Sequence, residues 1–206
     1  MAQITGGIRS ILSLPAAYSA FQNLLGATRV RRELCVRYIK ARPKDVLVDV
    51  GCGPAEILAY IDDTVRYYGF DLSQTYIDAA RERYGNRGHF RCADITLVAA
   101  DEIPPCQVAI AIGLLHHLDD DGARRLIACL HERLAPGGRL ITFDPAYWPN
   151  QNRAVRYMIS KDRGQNVRWG EQYRTLATPI FASVQVVRRD DLLNIPYSHA
   201  ILECTK

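Results

Sequence analysis

The sequence predicts an α/β fold built on an open parallel sheet, and three observations carry that prediction. An apolar run, Val46-Leu47-Val48, feeds a glycine turn, Gly51-Cys52-Gly53, and then a helix-forming stretch at 54–60. Further short apolar runs at 65–70, 89–93, 107–112 and 139–143 alternate with polar or helix-period segments. An acid closes each of the first three runs: Asp49, Asp71 and Asp94. A strand that leads through glycines into a helix is the ligand-binding start of such a sheet. Glycine lets the backbone turn sharply and approach a ligand with no Cβ in the way.

Composition sets the bounds. The chain has 206 residues, 48% hydrophobic and 23% charged, which suits one domain with a substantial core. No apolar run approaches the roughly 20 residues of a membrane span. The apolar stretch at 8–20 is broken by Ser13 and Pro15, which argues against a signal peptide. The six cysteines are scattered, with no CxxC and no His/Cys cluster. They read as buried free thiols in a reducing cytoplasm, and no metal site is expected. Charge is uneven: residues 1–44 carry +7, 45–145 carry −7, and 146–178 carry +4. Either the flanks are solvated basic surface, or they cover the site and favour an anionic substrate.

The glycine turn narrows the ligand. A dinucleotide fingerprint would put a third glycine at 56, where this chain has Glu56. Asp49, just before the turn, would repel a pyrophosphate and suits a ligand with a positive amino group. S-adenosylmethionine (SAM) has one, and a sulfonium besides. With an acid followed by GxG, the chain resembles the class I SAM-dependent methyltransferases of small-molecule type. The resemblance implies a Rossmann-like, seven-stranded, mostly parallel sheet with helices on both faces and a C-terminal antiparallel strand pair. It also implies SAM as cofactor.

The elements then follow in order. Residues 1–44 read as an N-terminal helical lid, with helices at 15–25 and 28–41 separated by Gly26. In the second helix Val30, Leu34, Val36 and Ile39 form an apolar stripe. In the resembled family such helices lie over the substrate mouth, which makes Tyr18 a candidate catalytic residue and Phe21 its neighbour. Plain packing of an amphipathic helix explains both equally well. The methyltransferase domain would occupy 45–206. Asp49, Gly51, Cys52 and Gly53 would border the methionine part of SAM. The strand at 65–70 delivers Asp71 and Leu72, with Ser73 capping a helix at 74–84. An acid at that strand end can accept both ribose hydroxyls. The resemblance puts Asp94 on the adenine amine and Ile95 against the ring.

The fourth strand ends at Gly113 and leads into Leu115-His116-His117-Leu118. A histidine there could take a proton from the acceptor, since its pKa sits near neutrality. Adjacent histidines face different ways, so one at most should reach the substrate, and His117 is favoured over His116. A helix at 119–134 should stop at Ala135-Pro136-Gly137-Gly138, before the fifth strand. Residues 146–178 read as a substrate-side insertion. Its Tyr147, Arg153, Arg156, Arg163 and Arg168 suit a small anionic or planar molecule. Strands at 182–188 and 198–204 would form the closing pair. The family often has a third glycine where this chain has Ala55, a departure that matters if the position needs a positive φ.

Two other functions fit parts of this pattern. An RNA methyltransferase is favoured by the basic N-terminus and disfavoured by the lack of a separate RNA-binding domain. The fold could also bind SAM as a non-catalytic regulatory subunit. No DNA partner is expected.

Overall fold

The computed structural model describes residues 26–162 and 164–206. The helix expected at 15–25, with Tyr18 and Phe21, and the candidate Arg163 lie outside the described residues.

The sheet is the predicted one with one strand added. β1 (Val46–Val50), β2 (Arg66–Asp71), β3 (Gly88–Cys92), β4 (Cys106–Ile112) and β5 (Leu134–Tyr147) pair in parallel, in the order β3-β2-β1-β4-β5. β7 (Ser183–Arg189) and β8 (His199–Thr205) extend it as β5-β8-β7, both pairings antiparallel. The addition is β6 (Arg168–Trp169), a two-residue strand paired with Ala146 and Tyr147 at the end of β5. Strand order runs one way from β1 to β3 and the other way from β4 onward. The crevice above the β1/β4 ends is therefore the switch point where open α/β sheets bind ligands.

Local chemistry explains the helices and the departures. α1 (Ala27–Leu34) is shorter than expected: it widens into a π-helical turn, Cys35–Ile39, and stops at Lys40, whose φ is 46°. The stretch after the glycine turn is a 3₁₀ helix, Glu56–Tyr60, and starts later than predicted because Ala55 is left-handed, with φ 54°. α2 (Gln74–Tyr84) begins as expected, with the Ser73 side chain accepting from the Tyr76 amide. α3 (Asp120–Arg133) is capped by Asp119, which accepts from the Gly122 amide. α4 (Arg153–Ile159) and α5 (Gly170–Ala177) fill the segment after β5. The Ala-Pro-Gly-Gly stretch does not precede the fifth strand but interrupts it. Leu134 pairs with Cys106, the register shifts, and Arg139 resumes opposite Val108. Gly137, at φ 74°, makes the bulge possible.

Each sheet face has its own core. On one, Leu126, Ile127 and Leu130 of α3 and Tyr173 and Leu176 of α5 bury Leu140 and Leu202. On the other, Val30 and Leu34 of α1 and Ile77 of α2 bury Leu47, Ile110, Ile141 and Ile201, joined by Leu192 from the β7–β8 connection. Each such side chain contributes about 1.5–3 kcal/mol of burial, which holds the strand ends rigid beneath the crevice. Among the described residues, no helix is long and apolar enough to cross a membrane.

Candidate functional site

A cavity of about 1200 Å³ opens at the carboxyl ends of β1 to β4. Ligand sites commonly hold about 300–1,000 Å³, so a nucleoside-sized ligand leaves room here for a second small molecule. The glycine turn forms its floor. Gly51 and Gly53 have φ 71° and 54°, which favours glycine at both. A Cβ on Gly51 would press on the Leu114 side chain at 3.2 Å, whereas one on Gly53 would meet nothing within 4 Å. The Gly51 and Cys52 amides both donate to the Phe70 carbonyl, at 2.8 and 3.1 Å. Asp71 braces the turn from β2: its Oδ2 accepts from the Gly53 amide at 3.0 Å and its Oδ1 from the Ser73 amide at 2.8 Å. Each oxygen keeps acceptor capacity for a ligand hydroxyl.

Asp49 is 2% exposed and accepts a hydrogen bond from the Tyr67 hydroxyl. Burial pushes its carboxyl up to about 7; the Tyr67 bond opposes that rise and the Asp71 charge adds to it. A cation placed here would restore the ionised form. Cys52 is a neutral wall: burial, with the charges of Asp49 and Asp71, drives its thiol far above the usual range. Asp94 caps the 3₁₀ turn Ile95–Leu97, with Oδ1 accepting from the amide and hydroxyl of Thr96. Ile95 is buried behind it, and Leu72 stands half-exposed at the rim.

Glu56 explains a residue that the sequence reading missed. Buried at the cavity wall, it is ion-paired with Arg31 of α1, and Arg83 of α2 lies 3.8 Å away. Arg31 thereby reaches the cavity from the helix above. A buried acid demands a cation, so a partner for Glu56 was foreseeable, though not its position. Ser73, Thr96 and Asn166 also line the cavity and were not singled out.

The β4 end is organised differently. Leu115–His117 forms a 3₁₀ turn, and its two histidines part company. His117 lines the cavity. His116 is buried, with Nδ1 2.8 Å from Asp144 Oδ1 and Nε2 3.3 Å from Asp162 Oδ1. Burial pulls its pKa down, but the bonds and charges of the two carboxylates outweigh it and raise the imidazole to about 9. With both ring nitrogens engaged and the ring held as a cation, His116 is not available as a base, contrary to its candidacy.

Asp162 and residues 164–168 form a strap across this loop. Asp162 accepts from the Tyr197 hydroxyl at 2.5 Å and from the Gly164 amide at 2.8 Å. A Cβ on Gly164 would overlap the His116 ring. The Asn166 amide donates to the His116 carbonyl at 2.9 Å. Arg168 departs from its expected substrate role. Its guanidinium is buried and donates to the carbonyls of Leu115, Leu118 and Asn166 and to Asp120. Arg156 lies over the Tyr147 and Trp169 rings, 5.7 and 5.2 Å from their centroids, and Arg153 is exposed at the start of α4. Neither arginine nor Tyr147 lines the cavity; of the described residues in 146–178, Asn166 alone does. Gly113, left-handed at φ 68°, donates to the Phe143 carbonyl and lets the chain leave β4 over the cavity.

A family model described as a methyltransferase domain matches residues 48–140. The fold is similar to that of the [4+2]-cyclase SpnF, with TM-score 0.69 and 18% identity over 87% of this chain and 81% of that one. It is also similar to the pyocyanin biosynthetic protein PhzM, with TM-score 0.70 and 18% identity over 98% of this chain and 62% of the other. Human N-acetylserotonin methyltransferase, solved in complex with SAM, gives TM-score 0.66 and 14% identity over 95% and 56%. The chain thus spans less than two thirds of the latter two proteins. No curated protein matches it in sequence.

Proposed function

We propose that the chain is a class I SAM-dependent methyltransferase, and that it transfers the methyl group of SAM to a small anionic acceptor by in-line displacement. The observation that supports this reading is the convergence of Asp49, Asp71, Asp94 and His117 on one cavity large enough for two ligands. Asp49 would face the ammonium of SAM and Arg31 its carboxylate. Asp71 would take the ribose hydroxyls and Asp94 the adenine amine. SAM supplies a methyl group already activated by its sulfonium.

The protein's own work is alignment, exclusion of water and removal of a proton. His117 faces the cavity at the β4 end and is the candidate base; Asn166 beside it can orient the acceptor. The anionic preference rests on the basic balance of residues 146–178 in the sequence, since Arg153 and Arg156 stand outside the cavity lining.

The test is calorimetric titration with SAM, repeated with Asp71→Ala, followed by assay of methyl-labelled SAM with phenols bearing or lacking a carboxylate. Micromolar binding that the substitution weakens at least tenfold, about 1.4 kcal/mol, with transfer to the carboxylated members, is the expected result. SAM binding without transfer to any member would favour a regulatory subunit.

A further inference from the structure

The two ends of the cavity differ in chemistry. The glycine-turn end is charged, with Asp49, Arg31 and Glu56. At the other end Ile95, Leu118 and Leu126 form an apolar slot edged by Asp94. SAM has a charged amino-acid end and a flat purine, so the purine belongs in the apolar slot; this assignment rests on the cofactor reading above.

One wall of that slot is Arg125 of α3. Its side chain does not simply extend into solvent. It folds back along the first turn of the helix, so that Nη2 lies 3.8 Å from where a Cβ on Gly122 would stand. Glycine at 122 leaves the guanidinium room to lie there. Arg124, next to it, is paired with Asp120 and Asp121. Arg125 makes no hydrogen bond or ion pair with any described residue. Its placement is also against the helix field, because a cation near a helix N-terminus meets the positive end of the dipole. The Asp119 carboxylate at that terminus is engaged with the Gly122 amide through Oδ1. A flat cation resting at the wall of an apolar slot, with no anion of its own, is placed to stack on a ring.

We propose that Arg125 closes the base slot by lying flat on the purine of the bound cofactor, with the Ile95–Leu118 wall behind the ring. Recognition of the base then combines an edge contact from Asp94 with a face contact from Arg125.

The experiment measures binding of S-adenosylhomocysteine by calorimetry, and of adenosine and methionine by ligand-detected NMR, to the wild type, Arg125→Ala and Arg125→Lys. The alanine variant should weaken S-adenosylhomocysteine and adenosine by the same factor, about three- to tenfold, or about 0.7–1.4 kcal/mol. Methionine binding should not change. The lysine variant should recover less than half of the loss, because it keeps the charge without the planar face. Unchanged adenosine binding in Arg125→Ala, an equal loss for methionine, or full recovery by lysine would each overturn the proposal while leaving the cofactor reading standing. A wild type that binds no S-adenosylhomocysteine overturns both. Arg125 is exposed, and equal melting temperatures of the three proteins confirm that the effect is on binding.

Discussion

The β1–β3 ends and the β4–β5 ends of this sheet are built on opposite plans. At β1–β3 the polar groups brace the backbone and still face the cavity: Asp71 holds two amides and keeps lone pairs free, and Asp49 waits in a partly neutral state for a cation. At β4–β5 they are turned on one another. His116 lies between two carboxylates, and Arg168 is bound to three carbonyls and Asp120. The first region is made to exchange partners with a ligand. The second is made to hold a loop still, and leaves His117 and Asn166 at the cavity wall. The same residue types, acids with histidine or arginine, therefore mean binding in one place and rigidity in the other, and burial with partner count decides which.

That contrast can be broken most forcefully at His116. His116→Ala leaves the buried Asp144 and the half-buried Asp162 without their shared cation. It should cost about 3–5 kcal/mol, read as a drop in denaturation midpoint, while SAM affinity in the folded protein stays within about threefold. A large loss of SAM affinity at unchanged stability would place His116 in the binding half instead. Its pH signature has a definite sign. The imidazole is raised from 6.5 to about 9 on folding, so its stabilisation is complete below pH 6.5 and lost as pH rises through 9.

Asp49 should respond to pH in the same direction for stability, over a lower range, and should show its larger effect in binding. Its carboxyl lies at about 7 against an ordinary 3.8, so between those values the folded protein holds a proton that the unfolded chain has released. Stability from this group falls as pH rises across that window, and the anion proposed to face SAM's ammonium appears over the same range. SAM affinity should increase by up to about tenfold per pH unit below 7 and level off above it. Calorimetry from pH 5.5 to 8.5 would show this, and Asp49→Asn should flatten the profile. A flat profile in the wild type would remove Asp49 from the site.

The smallest effect belongs to Ala55, the alanine at φ 54°. Ala55→Gly should relieve left-handed strain and raise stability by up to about 1 kcal/mol, with some of the gain offset by the entropy of the unfolded chain. Chemical denaturation measures it; a loss of 1 kcal/mol or more would show that the buried methyl outweighs the strain.

The sequence displayed the first region well because each of its parts is local. An apolar run closed by an acid is visible within six residues, and the strands carrying Asp49, Asp71 and Asp94 formed as read. The second region was hidden because its bonds are long-range. Arg168 reads as a substrate-side arginine, yet its partners are Asp120 and the Leu115 carbonyl, 48 and 53 positions away. His116 and His117 are indistinguishable by type and neighbourhood; only the return of β5 and the strap assigns one to the lock and the other to the cavity. The Ala-Pro-Gly-Gly stretch read as a terminator because proline and glycine end helices. It did end α3, but Leu134 was already pairing with Cys106. Arg125 was overlooked because an exposed arginine on a helix ordinarily signifies nothing.

The strap has a kinetic consequence. Its bonds to the loop around His116 join segments far apart in the chain, and they cannot form until β5 has entered the sheet and the segment after it has doubled back. Contacts of such separation come late in folding. The β1–β4 nucleus should therefore assemble before the lock closes, and weakening the lock should speed unfolding while hardly slowing refolding. Raising the pH past 9 would act in the same way: His116 loses its proton, and the lifetime of the native state shortens although the cofactor floor is unchanged.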